Sequence, residues 1–480
     1  MNQNQIKFQV LNEEQCRDIV DAAMTVLEKT GCDIHNEKAL AILRDAGCGV
    51  DGIRVRIPAW LMKDCLATAP SAVNIYDRKG NKAFTLDAHS FQSYYVAGLL
   101  NLYRVDSETG ERRLTVTKDV RDAGLVIDAL PNIDVASGLA YIVDCDPTVA
   151  DLYELRELLA TTTKPILLWN FDADGFEDEM QMCATVAGGM DQLIKKPFII
   201  AGGSPSPPLA HAEEVMDKMM AMFRYGVPTP YVCGPMVGAS APVTLAGACV
   251  IGLADSFVGL VLSQLINKGC PFLGACFVDY MDLRTMAFAQ TSPEMMLGSA
   301  ASGDLYRYLD LPYACHFGTT DSPAFDQQAA ADISTQLYTG MLSGANLNFF
   351  IGYLEGAMSS SLEALVFGNE VIDLLRHVQG GFEVNTETLA VDVIDHVGPS
   401  GNFLAEEHTL NHFRENWVPQ DFIRVNYETW KAEGKKDFFT RANEKVKAII
   451  ERGIVEPLPA EVSAKLDEII AVAEKRRGIR

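Results

Sequence analysis

Basic side chains are what this chain is short of. Its 40 Lys and Arg stand against 64 Asp and Glu, a formal charge of −24 at pH 7. That balance disfavours nucleic acid or an anionic membrane surface as a partner and suits a cationic ligand or a basic partner protein; an acidic surface kept for solubility gives the same numbers. Metal and redox spacings are missing as well. The eleven cysteines contain no CxxC pair, and the eight histidines show no HExxH or His-x-His spacing, so no metal site is expected. Most cysteines sit singly in apolar runs, which predicts buried, reduced thiols and a cytoplasmic protein. The amino terminus, MNQNQIKFQVL, lacks a basic region followed by an apolar core, so no signal peptide is expected. No apolar run reads as the ~18–20 residues of a membrane span.

What is present describes a soluble globular enzyme: 480 residues, 48% hydrophobic and 22% charged, with room for two or three domains. Residues 1–115 predict an N-terminal α+β elaboration. One helix runs from Asn12 to Gly31 and a second from Asn36 to near Gly47; short strands at 55–57, 71–76 and 83–86 suggest a small antiparallel sheet. From Thr117 the rhythm changes to strand and helix in alternation. The predicted strands are 133–142, 165–171, 198–202, 230–233, 272–278, 312–317, 348–351 and 389–394, with helices between them. Eight such units over 116–404 predict an α/β fold, a (β/α)8 TIM barrel, with 405–480 as a C-terminal helical extension packed on it. An open doubly wound sheet is the rival, weakened because no GxGxxG opens the first βα unit.

In a parallel barrel, chemistry sits at the strand carboxyl ends. The stretch 311–328, LPYACHFGTTDSPAFDQQ, predicts a strand, a turn, and a helix starting at Asp321-Ser322-Pro323. The strand ends offer Asp144, Trp169, Gly202 and Gly203, Gly234 to Gly238, Phe277, Asp279 and Tyr280, His316 to Asp321, Phe350, Tyr353 and Glu355, and His396, with Tyr95 ahead of them. This set is rich in aromatics and carboxylates and poor in cations, Arg284 being the nearest. It therefore suits a quaternary or methylated ammonium held over ring faces, at about 0.5–2 kcal/mol per ring, better than a phosphate or a Schiff base. Plain alternatives stand beside these readings. Each ring can be core packing, His316 a structural histidine, and Asp321 a helix cap. The glycines either cradle phosphate or clear room for a large flat body.

Several segments resemble the trimethylamine methyltransferase (MttB) superfamily of corrinoid-dependent methyltransferases. They are DSETGERRLTVTKDV (106–120), DALPNIDVASG (128–138), GPMVGASAPVTLAGA (234–248), MDLRTMAFAQTSPEM (281–295), GTTDSPAFDQQAA (318–330) and FLAEEHTLNHFRENWVPQDF (403–422). The family's founding members carry pyrrolysine near the 316–326 stretch, whereas this chain has only standard residues. Relatives without pyrrolysine are similar to glycine betaine:corrinoid methyltransferases, and others take proline betaine, carnitine or γ-butyrobetaine. The resemblance thus implies transfer of one N-methyl group from a quaternary amine, glycine betaine foremost, to the Co(I) of a cognate corrinoid protein. It implies no permanently bound cofactor, the cobalamin-type corrinoid being presented by that partner, and a homo-oligomer. Trp169, Phe277, Tyr280, His316, Phe350, Tyr353, Glu355 and Tyr95 become substrate-binding candidates, Gly202, Gly203, Gly234 and Gly238 corrinoid-facing ones, and His316 and Asp321 candidate orienting groups. His316, Arg284 or the 318–321 turn would receive a substrate carboxylate. A quaternary-amine binding protein without transfer activity is the non-enzymatic alternative.

Overall fold

The computed structural model describes residues 6–99 and 101–479. Met1 to Gln5 of the amino terminus considered above lie outside them. Among the described residues, eight short segments pair in parallel along one continuous ladder: β1 (Tyr94–Ala97), the bridge segment β2 (135–136), β3 (Ile166–Leu168), β4 (Ile199–Ala201), β5 (Thr229–Cys233), β6 (Phe272–Cys276), β7 (Ala314–Cys315) and β8 (Leu347–Ile351). The register runs Val96 to Val135, Ala136 to Ile166, Leu167 to Ile200, Gly203 to Tyr231, Val232 to Ala275, Gly274 to Tyr313 and Cys315 to Asn348. Asn348 then pairs with Tyr95, which returns the ladder to β1.

Side chains alternate across these strands as a period of two requires. Val96, Val135, Leu167, Ile200, Val232 and Phe349 form an inner cluster. Their neighbours Tyr95, Ala136, Ile166, Ile199 and Tyr231 join the outer cluster with the helices. The antiparallel hairpin of strands Ala72–Tyr76 and Lys82–Asp87 adds Val73, Ile75, Phe84 and Leu86 to the inner cluster, and Phe84 stacks on Tyr94 at 4.2 Å where β1 begins. The apolar side chains of this hairpin thereby cover the strand amino ends, and the strand carboxyl ends are left as the mouth.

Helices fill the connections: α1 (Thr117–Ala129), α2 (Ala150–Thr161), α3 (Ala173–Ala187), α4 (Glu213–Tyr225), α5 (Leu245–Ile266), α6 (Pro293–Tyr308), α7 (Gln327–Ser343) and α8 (Leu362–Gly380). Lys164 fixes the exit from α1. Its buried Nζ donates to the carbonyls of Ile127 (2.7 Å), Leu130 (2.5 Å) and Ile133 (2.5 Å), satisfying acceptors that the helix end leaves open.

Four expectations change. The strand expected at 389–394 is helical, Thr386–Leu389 followed by Val391–Val397, with Asn385 capping the first; Leu389, Val391 and Ile394 are more than half exposed, so no sheet buries them. The strand that completes the set is β1, which the sequence places within the N-terminal elaboration, and each later strand moves up one place. Second, α7 starts at Gln327 with Asp326 as its cap, because the Asp321 carboxylate is engaged elsewhere. Third, α5 is a 22-residue helix with a mean hydropathy of 2.1, long and apolar enough to cross a membrane. Because 72% of its apolar window is buried inside the fold, it is accounted for as a core helix. Fourth, the antiparallel pieces near the amino terminus are tied into the larger unit: Cys32–Ile34 pairs with Arg54–Arg56 on one side and in parallel with Ala210–His211 on the other.

Several of the expected helices are present. Asn12 and Gln15 form a capping box on helix Glu13–Lys29, and Asn36 caps Glu37–Asp45. At the far end, helix Phe438–Arg452 packs Ala442, Val446 and Ile449 inward, and Ala460–Arg476 packs Leu466, Ile470 and Ala473. Arg477 clamps the last helix down by donating to both Asp172 oxygens, at 2.9 and 3.0 Å.

Candidate active site at the strand carboxyl ends

β6, β7 and β8 each deliver an aromatic residue to the mouth. Phe277 follows β6, His316 follows β7, and Phe350 lies in β8. The His316 imidazole stacks on Phe277 with centroids 4.5 Å apart, and the Phe350 ring meets it edge-on at 5.9 Å. Phe277 and Phe350 are perpendicular at 6.2 Å, and Phe350 stacks on Tyr353 at 5.3 Å. Phe350 is held at φ +74°, a left-handed conformation costing a residue with a Cβ about 1–2 kcal/mol. Leu139, Glu355 and Ala357 share that region, so positive φ clusters at the mouth.

His316 is fully buried, with its Nε2 3.3 Å from Asp279 Oδ1 and its Nδ1 4.0 Å from the Cys315 sulfur. Burial alone would lower its pKa; the Asp279 carboxylate, helped by Cys315, outweighs burial and raises it from 6.5 to about 9. The pairing thus favours the imidazolium form at neutral pH. The contact with Asp279 is close enough for ion pairing but is not an aligned hydrogen bond, and Nε2 is a buried donor without a geometrically satisfied partner.

The other expected residues sort by the register. Trp169 lies against the inner cluster, with Lys218 Nζ 5.9 Å from its ring. Tyr280 follows Asp279 at the rim and is half-buried. Tyr353 is buried, and its hydroxyl accepts the Leu99 N–H at 2.5 Å, which ties the end of β8 to the end of β1. Tyr95 is a correction: Val96 faces inward, so Tyr95 faces out, buried in the outer cluster with the Arg376 guanidinium 5.6 Å from its ring. Asp321 accepts from Gln290 N–H (2.8 Å), Thr291 N–H (3.1 Å) and the Thr291 hydroxyl (2.5 Å), so it ties the β7 turn to the loop before α6. The Gly318 and Thr319 N–H groups both donate to Gln336 Oε1. Arg284 is 89% exposed and paired with Asp282. Glu355 pairs instead with Arg112 at 2.5 Å, a cation carried over the rim by the hairpin Tyr103–Val105 and Arg112–Leu114.

The four glycines have internal reasons. A Cβ on Gly202 would meet Trp169 at 2.8 Å, on Gly203 Met219 at 2.9 Å, on Gly234 Asp279 at 2.9 Å, and on Gly238 (φ +83°) Leu283 at 3.2 Å. Room for the chain's own side chains accounts for them, and a corrinoid-facing role rests on the resemblance alone.

Sequence reasoning placed Asp279 at a strand end without giving it a role, and it did not see that Asn170 belongs to a buried polar group behind Trp169. There Asn170 Nδ2 donates to Glu179 at 3.1 Å, Lys218 Nζ donates to the Asn170 carbonyl at 2.9 Å, and Glu154 accepts the Gly138 N–H at 3.0 Å. Burial pushes the Glu179 carboxyl well up, that of Glu154 to about 8 and that of Asp151 to about 6, which favours the neutral form of Glu154 at pH 7. The signal was present: Asp151 and Glu154 fall one helical turn apart in α2, which a sequence reads as a solvated face.

A family described as Trimethylamine methyltransferase (MTTB) matches residues 1–478. The chain is 31% identical over 474 residues to the trimethylamine methyltransferase MttB of Desulfitobacterium hafniense, covering 98% of this chain and 94% of the relative. It is 28% identical over 475 residues to the glycine betaine methyltransferase of another strain of that species, with 98% of both covered. Among solved structures it is similar to the monomethylamine methyltransferase MtmB of Methanosarcina barkeri, with a TM-score of 0.53 at 10% identity over 94% of this chain and 90% of that one, a likeness of fold alone. The chain belongs to the trimethylamine methyltransferase (MTTB) family, and so to the methyltransferases.

Proposed function

We propose that this methyltransferase demethylates a betaine, a zwitterion joining a quaternary ammonium to a carboxylate, with glycine betaine first among the candidates. The observation that carries the reading is the buried His316–Asp279 pair among ring faces. Imidazolium and carboxylate form a net-neutral dipole, matched in charge to a zwitterion and mismatched to a free amine. The rings of Phe277, Phe350 and Tyr353 offer faces to the ammonium, and the unaligned Nε2–H of His316 offers a donor to the carboxylate. A relative named glycine betaine methyltransferase, aligned along the whole chain, supports the same reading.

In the reaction an N–CH3 bond breaks with its electron pair left on nitrogen, so the departing product is a neutral tertiary amine and no acid is required. The methyl acceptor is a Co(I) corrinoid carried by a partner protein, a co-substrate that supplies the nucleophilic electron pair. The chain's own residues hold the N–CH3 axis toward the mouth and exclude water, an orientation effect worth up to ~7–11 kcal/mol. Positive charge on nitrogen disperses as the bond breaks, so ring faces cost less ground-state stabilisation than a tight ion pair would.

The architecture that supports this reading is a (β/α)8 barrel over 94–380, with the N-terminal unit and its hairpin plug before it and a helical extension after it. All eleven cysteines are free thiols, which supports a cytoplasmic location. The apolar side chains of Phe382, Leu404, Leu410 and Val418, 65–83% exposed, support a homo-oligomer that covers them. The test is spectroscopic: the protein, Co(I) cobalamin and, in turn, glycine betaine, proline betaine, carnitine, γ-butyrobetaine, tetramethylammonium and trimethylamine. Cobalt methylation with one of the betaines and little with the last two is expected. Equal rates with tetramethylammonium would remove the role of His316, and binding without methylation of cobalt would leave a binding protein.

A further inference from the structure

The segment 381–427 leaves the barrel after α8; Phe422 and Trp417 anchor its second half to α8, by packing on Phe367 and by a hydrogen bond to Asp373, while residues 381–416 contain no buried side chain. Its helices Thr386–Leu389, Val391–Val397, Glu407–His412 and Tyr427–Ala432 contain no buried residue. Two of them are nevertheless brought together by polar side chains. Glu387, His408 and His412 place ligand atoms within 4.8 Å of one another. His408 and His412 are one turn apart on the same helix, their ring centroids separated by 4.4 Å.

The geometry is that of a ligand set. His412 Nε2 lies 3.4 Å from Glu387 Oε1. Two donors each ~2.0–2.1 Å from a tetrahedral ion stand roughly 3.4 Å apart, so the gap fits an ion between them. The opposite nitrogen, His412 Nδ1, is 2.9 Å from the Glu415 carboxylate; with a proton held there, Nε2, which faces the Glu387 carboxylate at 3.4 Å, is the nitrogen that would ligate. His408 faces the same residue, its Nε2 3.3 Å from the Glu387 carbonyl oxygen. The group borders a cavity of about 960 Å³ also lined by His377 and Glu383, with room for water in a further position. Because α8 runs away from the mouth and Gln379 near its end bonds to Phe91 ahead of β1, this cavity is at the strand amino ends.

We propose that Glu387, His408 and His412 bind one divalent transition-metal ion of the zinc class. The ion clasps helix Thr386–Leu389 to helix Glu407–His412 and supplies to residues 381–416 the order that packing does not. The site is independent of the methyl-transfer reading. An H-x-x-x-H pair is too short a pattern to stand out in the sequence, and Glu387 joins it only through the fold.

The test uses the full chain, stripped with a chelator and titrated with zinc chloride against a chromogenic zinc indicator. One equivalent is expected to bind. His408→Asn and His412→Asn should each weaken it by about 100-fold or more, and Glu415→Gln by roughly 10-fold with the ligands intact. Limited proteolysis should cut within 381–427 faster after stripping and slower after zinc is restored. Far-UV circular dichroism establishes that each variant is folded, and methyl transfer by His408→Asn should equal that of the parent. Absence of stoichiometric zinc, or zinc binding unchanged in both histidine variants, overturns the proposal.

Discussion

Removing one charge from the mouth tests the electrostatic reasoning directly. In Asp279→Asn the side chain keeps its shape and loses the carboxylate that faces His316 at 3.3 Å. In the parent protein the imidazolium form of that ring is favoured, with a pKa raised from 6.5 to about 9 against the opposing effect of burial. The rise corresponds to ~3 kcal/mol of preference for the charged form. Without Asp279, burial dominates and the ring should titrate below 6.5, a neutral imidazole at pH 7. The sign for stability follows. A folded-state pKa above the unfolded one contributes stability that is complete below about 6.5 and lost as pH rises through about 9. The parent should therefore lose up to ~3 kcal/mol from this group between pH 6.5 and pH 9.5, and the variant should lack that slope. Histidine resonances followed by NMR, with His316 assigned by a His316→Gln variant, report the titration, and urea unfolding across the same range reports the stability. Cobalt methylation with glycine betaine should show a KM raised at least tenfold in Asp279→Asn. If His316 titrates near 6.5 in the parent, or its titration is unmoved by the substitution, the account of the site is wrong.

Phe350→Ala should raise KM for the betaine roughly 3- to 30-fold, the equivalent of one ring face at about 0.5–2 kcal/mol, and a steady-state titration decides it. Gly98→Ala places a methyl group 2.5 Å from Leu139 and 2.6 Å from Tyr353 at φ +39°, so a loss of about 1–3 kcal/mol is expected in chemical denaturation. Glu154→Gln keeps the acceptor for Gly138 and removes a carboxyl whose pKa is raised from 4.5 to about 8. Raised in the fold, it stabilises below pH 4.5 and loses that contribution as pH rises through 8; the variant should match the parent at pH 5 and exceed it at pH 9 in unfolding experiments. Lys164→Met removes three hydrogen bonds, to the carbonyls of Ile127, Leu130 and Ile133, and should cost about 3 kcal/mol, read as a lowered thermal midpoint.

The sequence by itself determined the alternation. Continuous apolar runs such as 272–276, buried on both faces, separated by capped helices, leave little choice but a parallel α/β unit, and the residues at the run ends name most of the mouth. It also carried the family, through segments spread over the whole chain. What it left open was everything decided by register and by distance. A strand as short as Tyr94–Ala97 shows its membership only through its partner at 347–351, and the apolar pattern of 389–394 suits a helix as well as a strand until a sheet is there to bury it. The same register turned Tyr95 outward beside Val96. Asp279 and His316 are 37 positions apart in sequence, Glu355 and Arg112 far more, and their pairing follows from which strands are neighbours. Charge states came last of all. Whether a histidine is an imidazolium or a glutamate a neutral acid depends on burial and on the charge beside it, and only the tertiary structure supplies either.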